Sequence, residues 1–106
     1  MSTVTGITLQ FSCAEDYVER ISQSDLYPII DEINKWLGKN GFGPLCSVED
    51  AYGGNRHPQF CVYGGGYNSL PDDDFVAMVT TRAWRYPEDV ILLLKHEDDP
   101  IKIIQP

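Results

Sequence analysis

Basic residues are scarce in this chain: eight Lys and Arg stand against sixteen Asp and Glu, which gives a formal net charge of −8. The eight are dispersed along the sequence, at Arg20, Lys35, Lys39, Arg56, Arg82, Arg85, Lys95 and Lys102. Binding to nucleic acid or to an anionic membrane surface calls for clustered Lys and Arg, so we expect neither as a partner. The charge remains compatible with a basic protein partner.

Long apolar runs and cysteine motifs are missing as well. No apolar run approaches the roughly 20 residues that cross a bilayer, and the first residues lack the pattern of a secretory signal. The three cysteines, Cys13, Cys46 and Cys61, form no CxxC motif, which argues against a structural zinc site or a disulfide framework. These absences predict a cytoplasmic protein without a cofactor.

Sequence signatures of catalysis are also absent, since the chain contains no GxSxG, HExxH, GxxxxGK[ST] or GxGxxG. The only histidines are His57 and His96, and no third group is evident that would orient a Cys–His pair formed by His57 and Cys61. The consecutive carboxylates Asp72 to Asp74 lack the alternating spacing of a calcium loop. We therefore predict no catalytic residues, no metal site and a non-enzymatic function.

Hydrophobic periodicity in the rest of the chain predicts one α+β domain over residues 1–106. The fold class is a two-layer sandwich, with two main helices on one face of a mainly antiparallel sheet of four to five strands. The predicted elements are a strand at 3–11, a short helix with a capping box at 12–15, a helix with the apolar stripe Leu26, Ile29, Ile30, Ile33 and Leu37, a hairpin of strands at 45–52 and 59–63, a helix at 72–84, and a hairpin of strands at 90–94 and 101–104.

Several finer predictions accompany this order. Ser24 or Asp25 caps the first main helix, and Gly38 or Gly41 ends it. The β-branched residues at 79–81 leave a strand open as the alternative for 72–84. Trp84 is predicted to lie at the edge of the core, with a partner interface as the alternative, and the apolar strand at 90–94 is predicted to be buried on both faces.

A glycine-rich segment, 64–71, is predicted to be a loop that exposes Tyr67 and Asn68. Glycine loops that lead into a helix often bind phosphate. Here the carboxylates of Asp72, Asp73 and Asp74 occupy the start of the helix, where a phosphate would have to bind, so the segment is interpreted as a connection.

Counting chain reversals brings two acidic segments to one end of the sheet. If the first two strands run in the same direction, the start of the helix at Asp72 and the turn at 97–99 lie at the same end. We call this group of six carboxylates the acidic rim: Asp72, Asp73, Asp74, Glu97, Asp98 and Asp99. It is interpreted either as a solvated surface that keeps the protein soluble or as a docking surface for a basic partner.

The chain resembles bacterial immunity proteins, which are short, acidic and cytosolic and lack a catalytic signature. The resemblance lies in this general character and includes the segment from Gly66-Tyr67-Asn68 to Trp84-Arg85-Tyr86-Pro87-Glu88-Asp89-Val90. It implies a protein that neutralises a basic toxin or enzyme by occluding its active site. The predicted partner-binding residues are Tyr67 as the anchor, Asn68 beside it, and the acidic rim.

Two alternatives remain open at this point. One is a small enzyme or ligand-binding domain with its site around His57, Cys61, Tyr63 and Tyr67. The other is a structural subunit of a homodimer or larger homo-oligomer that pairs through an edge strand at 101–104.

Overall fold

A computed structural model describes residues 4–12, 28–48, 51–55 and 60–106. The strands are β1 (Val4–Ser12), β2 (Cys46–Ser47), β3 (Phe60–Asn68), β4 (Ile91–His96) and β5 (Lys102–Ile104), and the two α-helices are α1 (Pro28–Lys39) and α2 (Asp72–Thr80). The strands form one sheet in the order β2-β3-β1-β4-β5, in which every pair of neighbours is antiparallel. This α+β architecture confirms the predicted fold class.

Strand β1 is the centre of the sheet and follows the predicted alternation. Ile7, Leu9 and Phe11 are buried, whereas Thr8 and Gln10 on the other face are half-buried. The buried residues join one hydrophobic cluster with side chains from both helices and from β3 and β4. The two-residue period of a strand therefore fixes which face of the sheet the helices cover.

Helix α1 carries the predicted apolar stripe. Ile30, Ile33 and Leu37 are fully buried. The helix ends at Lys39, and the predicted stop residue Gly41 follows two residues later with a φ of 80°, the left-handed conformation that glycine adopts without a Cβ penalty. The predicted cap at Ser24 or Asp25, the residue Leu26 and the short helix after Ser12 lie outside the described residues, as do Cys13 and His57.

Helix α2 begins at the predicted residue, Asp72, and is a helix rather than the alternative strand, but it ends at Thr80 instead of residue 84. The hydroxyl groups of Thr80 and Thr81 bond to the carbonyls of Val76 and Ala77, in competition with continued helix bonding. Beyond the end, Trp84 folds back onto the helix. Its indole Nε1 donates to the Val79 carbonyl oxygen at 2.9 Å, which confirms its place at the edge of the core.

The glycine-rich segment is not a loop, so that prediction is wrong. Gly64, Gly65 and Gly66 belong to β3 and pair with Thr8, Ile7 and Gly6 of β1. The pairing partner supplies the β conformation that glycine alone does not favour. The strand runs to Asn68, and only Ser69, Leu70 and Pro71 connect it to α2.

Both predicted hairpins pair antiparallel, with two differences. Strand β2 covers only Cys46–Ser47 of the predicted 45–52. Strand β4 is fully buried only on its core face: Leu92 and Leu94 are buried, whereas Ile91 and Leu93 are half-buried. The prediction of burial on both faces is wrong because, among the described residues, no α-helix covers the second face of the sheet.

Candidate functional site

The two acidic segments meet at one end of the sheet, as chain reversal predicted. Strands β1 and β2 are both antiparallel to β3 and so run in the same direction. The start of α2 and the turn between β4 and β5 consequently lie beside the first residues of β1. Five rim carboxylates are exposed, and the sixth, Asp72, is half-buried; the exposed ones are Asp73, Asp74, Glu97, Asp98 and Asp99.

A hydrogen-bonded cluster of Thr5, Asp72 and His96 joins the segments. The Thr5 hydroxyl donates to Asp72 Oδ1 at 2.9 Å, and His96 Nδ1 lies 2.7 Å from Asp72 Oδ2. Thr5 Oγ1 and His96 Nδ1 are 3.2 Å apart. Because a carboxylate oxygen only accepts, Nδ1 carries the proton in this arrangement. One side chain from α2 thus binds two adjacent strands, β1 and β4.

Sequence reasoning missed this cluster, although one signal for it exists. Thr5 is in phase with Ile7, Leu9 and Phe11, so the alternation assigns a hydroxyl to the buried face of β1. A buried hydroxyl requires a hydrogen-bond partner. That partner could not be identified without the register that pairs Thr5 with His96.

The cluster resembles an acid–base pair, but its surroundings favour a structural role. A nucleophile must reach the substrate, and Thr5 is fully buried. In the described part of the chain, the ring of His96 contacts only Thr5 and Asp72 among hydrogen-bonding side chains. The pair therefore fixes the start of α2 against the sheet.

Glu97 holds the turn between β4 and β5 against the first residue of β1. Its backbone N–H donates to the Val4 carbonyl oxygen at 2.9 Å, and its carboxylate accepts from the Val4 N–H at 3.0 Å. This double contact holds Glu97 at a φ of 38°, in the left-handed region that few non-glycine residues adopt.

The cation closest to the rim in sequence, Lys95, is turned toward the backbone. Its Nζ donates to the carbonyl oxygens of Glu97 at 2.5 Å and Asp99 at 2.7 Å. Among the described residues, the carboxylates of Asp73, Asp74, Asp98 and Asp99 form no salt bridge with a lysine or arginine. These carboxylates are left facing solvent.

Tyr67 is not exposed, contrary to the prediction. It lies on the core face of β3 with 8% of its surface accessible, and its ring meets that of Phe42 edge-on at a centroid distance of 5.8 Å. Glycine at position 65 makes this possible, because a Cβ there would lie 2.7 Å from the Tyr67 hydroxyl. Tyr67 therefore cannot anchor a partner, whereas its neighbour Asn68 is exposed as predicted.

The Tyr67 hydroxyl is buried without a hydrogen-bond partner among the described residues. Burial raises the pKa of Tyr67 above its ordinary value of 10.0, and the nearby Cys46 raises the pKa further when it is a thiolate. The folded protein thus holds this proton more tightly than the unfolded chain does. The stability that depends on it is complete below about pH 10 and declines as the pH rises beyond that value.

We expect Tyr67→Phe to leave stability at neutral pH unchanged or to raise it by about 1 kcal/mol, because the substitution removes a buried, unpartnered hydroxyl. Above about pH 10 the variant should lose less stability than the wild type. Urea unfolding at neutral and alkaline pH measures both effects. Tyr52→Phe, at an exposed tyrosine, is the control. A large destabilisation by Tyr67→Phe at neutral pH would mean that the hydroxyl is bonded.

The described residues of the alternative site do not converge on one point. Cys61 and Tyr67 are both buried on the core face of β3, but they lie six positions apart along the strand, a distance of about 20 Å. Tyr63 lies between them and is stacked on Phe11, with ring centroids 5.8 Å apart. His57 lies outside the described residues. The described ranges contain no cluster of three His, Cys, Asp or Glu side chains suited to a metal ion.

No protein-family model, curated protein or solved structure matches this chain. Within the described ranges, neither helix has the length and apolar character needed to span a bilayer.

Proposed function

We propose that this chain is a non-enzymatic protein-binding domain whose acidic rim binds a basic protein. The observation that carries the proposal is the convergence of five exposed carboxylates, from two distant segments, at one end of the sheet. In the form we favour, the chain is an immunity-type inhibitor that covers the active-site cleft of a basic toxin or enzyme.

The electrostatics of the rim support a binding role. An uncompensated cluster of one sign attracts an oppositely charged protein over distance and accelerates the encounter. Here Lys95 is held by carbonyl oxygens, and four carboxylates have no salt bridge to a lysine or arginine within the described residues. The net charge of −8 adds to the attraction.

The way the rim is anchored supports the same role. Asp72 holds the start of α2 through Thr5 and His96, and Glu97 holds the β4–β5 turn through Val4. A surface already fixed in the geometry that it uses has less conformational entropy to lose on binding.

The test begins with capture of the partner from the native cell at low salt, followed by its purification. We expect a basic protein whose affinity falls steeply as salt rises, and whose own activity is lost at a one-to-one ratio. The combined variant Asp73→Lys and Asp98→Lys should weaken binding by at least about a hundredfold, since each site replaces an attraction with a repulsion.

The matched control is Glu88→Lys with Asp89→Lys. It changes the net charge equally, but its exposed positions precede β4, at the opposite end of that strand from the rim. Binding that is unaffected by the rim variant, or equally affected by both, would contradict the proposal.

A further inference from the structure

The outer edge of β5 borders a groove that continues from the acidic rim. The groove lies between β5 and α2 and has a volume of about 300 Å³. Its lining combines apolar residues with two rim carboxylates and one lysine: Val76, Ala77, Ile104, Asp72, Asp73 and Lys102. We propose that this edge receives an extended segment of the basic partner as a sixth strand, a mode of binding that rests on the proposed function.

The direction of the backbone hydrogen bonds along β4 can be derived from the bond between the Glu97 N–H and the Val4 carbonyl. Successive residues of a strand direct their N–H and C=O groups to opposite sides. The backbone groups of Glu97 face β1. Leu94 and Leu92 lie three and five residues before Glu97, so their N–H and C=O groups face the opposite side, toward β5.

The same alternation determines which backbone groups of β5 are unused. Lys102 pairs with Leu94, and Ile104 pairs with Leu92. The backbone N–H and C=O groups of Lys102 and Ile104 therefore face β4. Ile103, between them, directs its N–H and C=O away from the sheet. In the described part of the chain, β5 has β4 as its only strand neighbour. Ile103 therefore presents the donor and acceptor that an added strand requires.

The exposed side chains of this edge also leave it open to strand pairing. Ile103 is 71% exposed and Ile101 is 60% exposed, the highest values among the large hydrophobic residues described. Charged residues and prolines commonly protect edge strands from pairing, and β5 contains one lysine and no proline.

The lining of the groove specifies the side chains of the added strand. An added strand antiparallel to β5, like every neighbouring pair in this sheet, starts beside Ile104 and ends beside the rim. Apolar side chains come first, against Val76 and Ala77, and a basic side chain follows near Asp73. These side chains share a face and so occupy alternate positions.

A basic segment fits this groove better than a second copy of the chain does. Two carboxylates and one ammonium group line the groove, and the rim surrounds its acidic end. A second copy would bring another net charge of −8 to the same place. Pairing of two β5 strands around Ile103 would also place the partner's lysine opposite Ile104, at the end away from Asp73.

The experiment uses the blocked peptide Thr-Val-Thr-Val-Thr-Lys-Thr, in which the two valines and the lysine share one face. The control peptide Thr-Val-Thr-Val-Lys-Thr-Thr has the same composition and charge, with the lysine moved to the other face. We expect the first peptide to bind more tightly to the full chain and to slow amide hydrogen exchange at Ile103.

Two variants separate backbone pairing from side-chain contact. Ile103→Pro removes the outward N–H together with the isoleucine side chain, and it leaves the β4–β5 bonds intact, since proline is tolerated when its nitrogen faces away from the sheet. Ile103→Pro should lower the affinity for the first peptide by about tenfold. Ile103→Thr keeps the N–H and the branched side chain, and should leave the affinity within about twofold. Amide spectra of Lys102 and Ile104 verify that β5 still pairs.

Three results would overturn the inference: no binding of the first peptide, equal binding of both peptides without protection of Ile103, or a wild-type chain that is already a dimer through β5. Failure of the proposed function would give a different result: the basic partner would bind the Asp73→Lys and Asp98→Lys double variant as tightly as it binds the wild type. The comparison of the two peptides does not depend on that result, since both carry the same charge.

Discussion

Asp72→Ala is expected to lower the free energy of unfolding by about 2–4 kcal/mol, although Asp72 belongs to a surface cluster of carboxylates. The substitution removes the acceptor of the Thr5 hydroxyl and the partner of His96 Nδ1. Thr5 is fully buried, so its hydroxyl would lose the bond to Asp72 with little access to water and would keep only the longer contact with His96 Nδ1, at 3.2 Å. Urea unfolding at neutral pH measures the loss.

The neighbouring aspartates provide matched controls for this result. Asp73→Ala and Asp74→Ala alter exposed side chains in the same first turn of α2, so each should cost less than about 0.5–1 kcal/mol, mainly through the helix dipole. Thr5→Val removes the buried donor while keeping the shape, and should make a subsequent Asp72→Ala less costly. Equal losses from Asp72→Ala and Asp73→Ala would show that the cluster adds nothing to stability.

Gly65→Ala is expected to destabilise the fold by about 1–3 kcal/mol, which is large for the addition of one methyl group. The added Cβ would lie 2.7 Å from the Tyr67 hydroxyl and 3.0 Å from two ring carbons. Tyr67 cannot withdraw freely, because its ring is buried against Phe42. Thermal or urea unfolding measures the effect.

The neighbouring Gly66 is the control for Gly65. A Cβ at Gly66 meets nothing within 4 Å, and the strand conformation suits alanine, so Gly66→Ala should be neutral or slightly stabilising. Combining Gly65→Ala with Tyr67→Phe should recover part of the loss, because the closest contact disappears while the contacts with the ring remain. Similar effects of Gly65→Ala and Gly66→Ala would contradict the proposed packing of Tyr67.

The sequence contained enough information to predict the fold class and the position of the rim. Alternation in β1 and the stripe of Ile30, Ile33 and Leu37 follow directly from strand and helix periods. Counting chain reversals requires only the number and order of the elements. For this reason it correctly predicted that Asp72 and Glu97 lie at the same end of the sheet. Errors in element boundaries, such as the early end of α2, do not change that count.

The errors arose where distant pairing overrides local preference. The glycines at 64–66 favour a loop locally, but pairing with β1 keeps them in a strand, and that strand buries Tyr67. The contact between Asp72 and His96 joins residues 24 positions apart, and it depends on the register of β1 with β4. No local pattern contains that register, so the residues that anchor the rim could not be identified in advance.

Association kinetics with the captured basic partner test the central claim most directly. The account predicts that the wild-type association rate constant falls steeply with ionic strength. In low salt, Asp73→Lys with Asp98→Lys should reduce the association rate constant by about tenfold or more and flatten its salt dependence. Glu88→Lys with Asp89→Lys should retain most of the wild-type rate constant and most of its salt dependence. Equal behaviour of the two double variants, or a wild-type rate that does not respond to salt, would contradict a role for the acidic rim in binding.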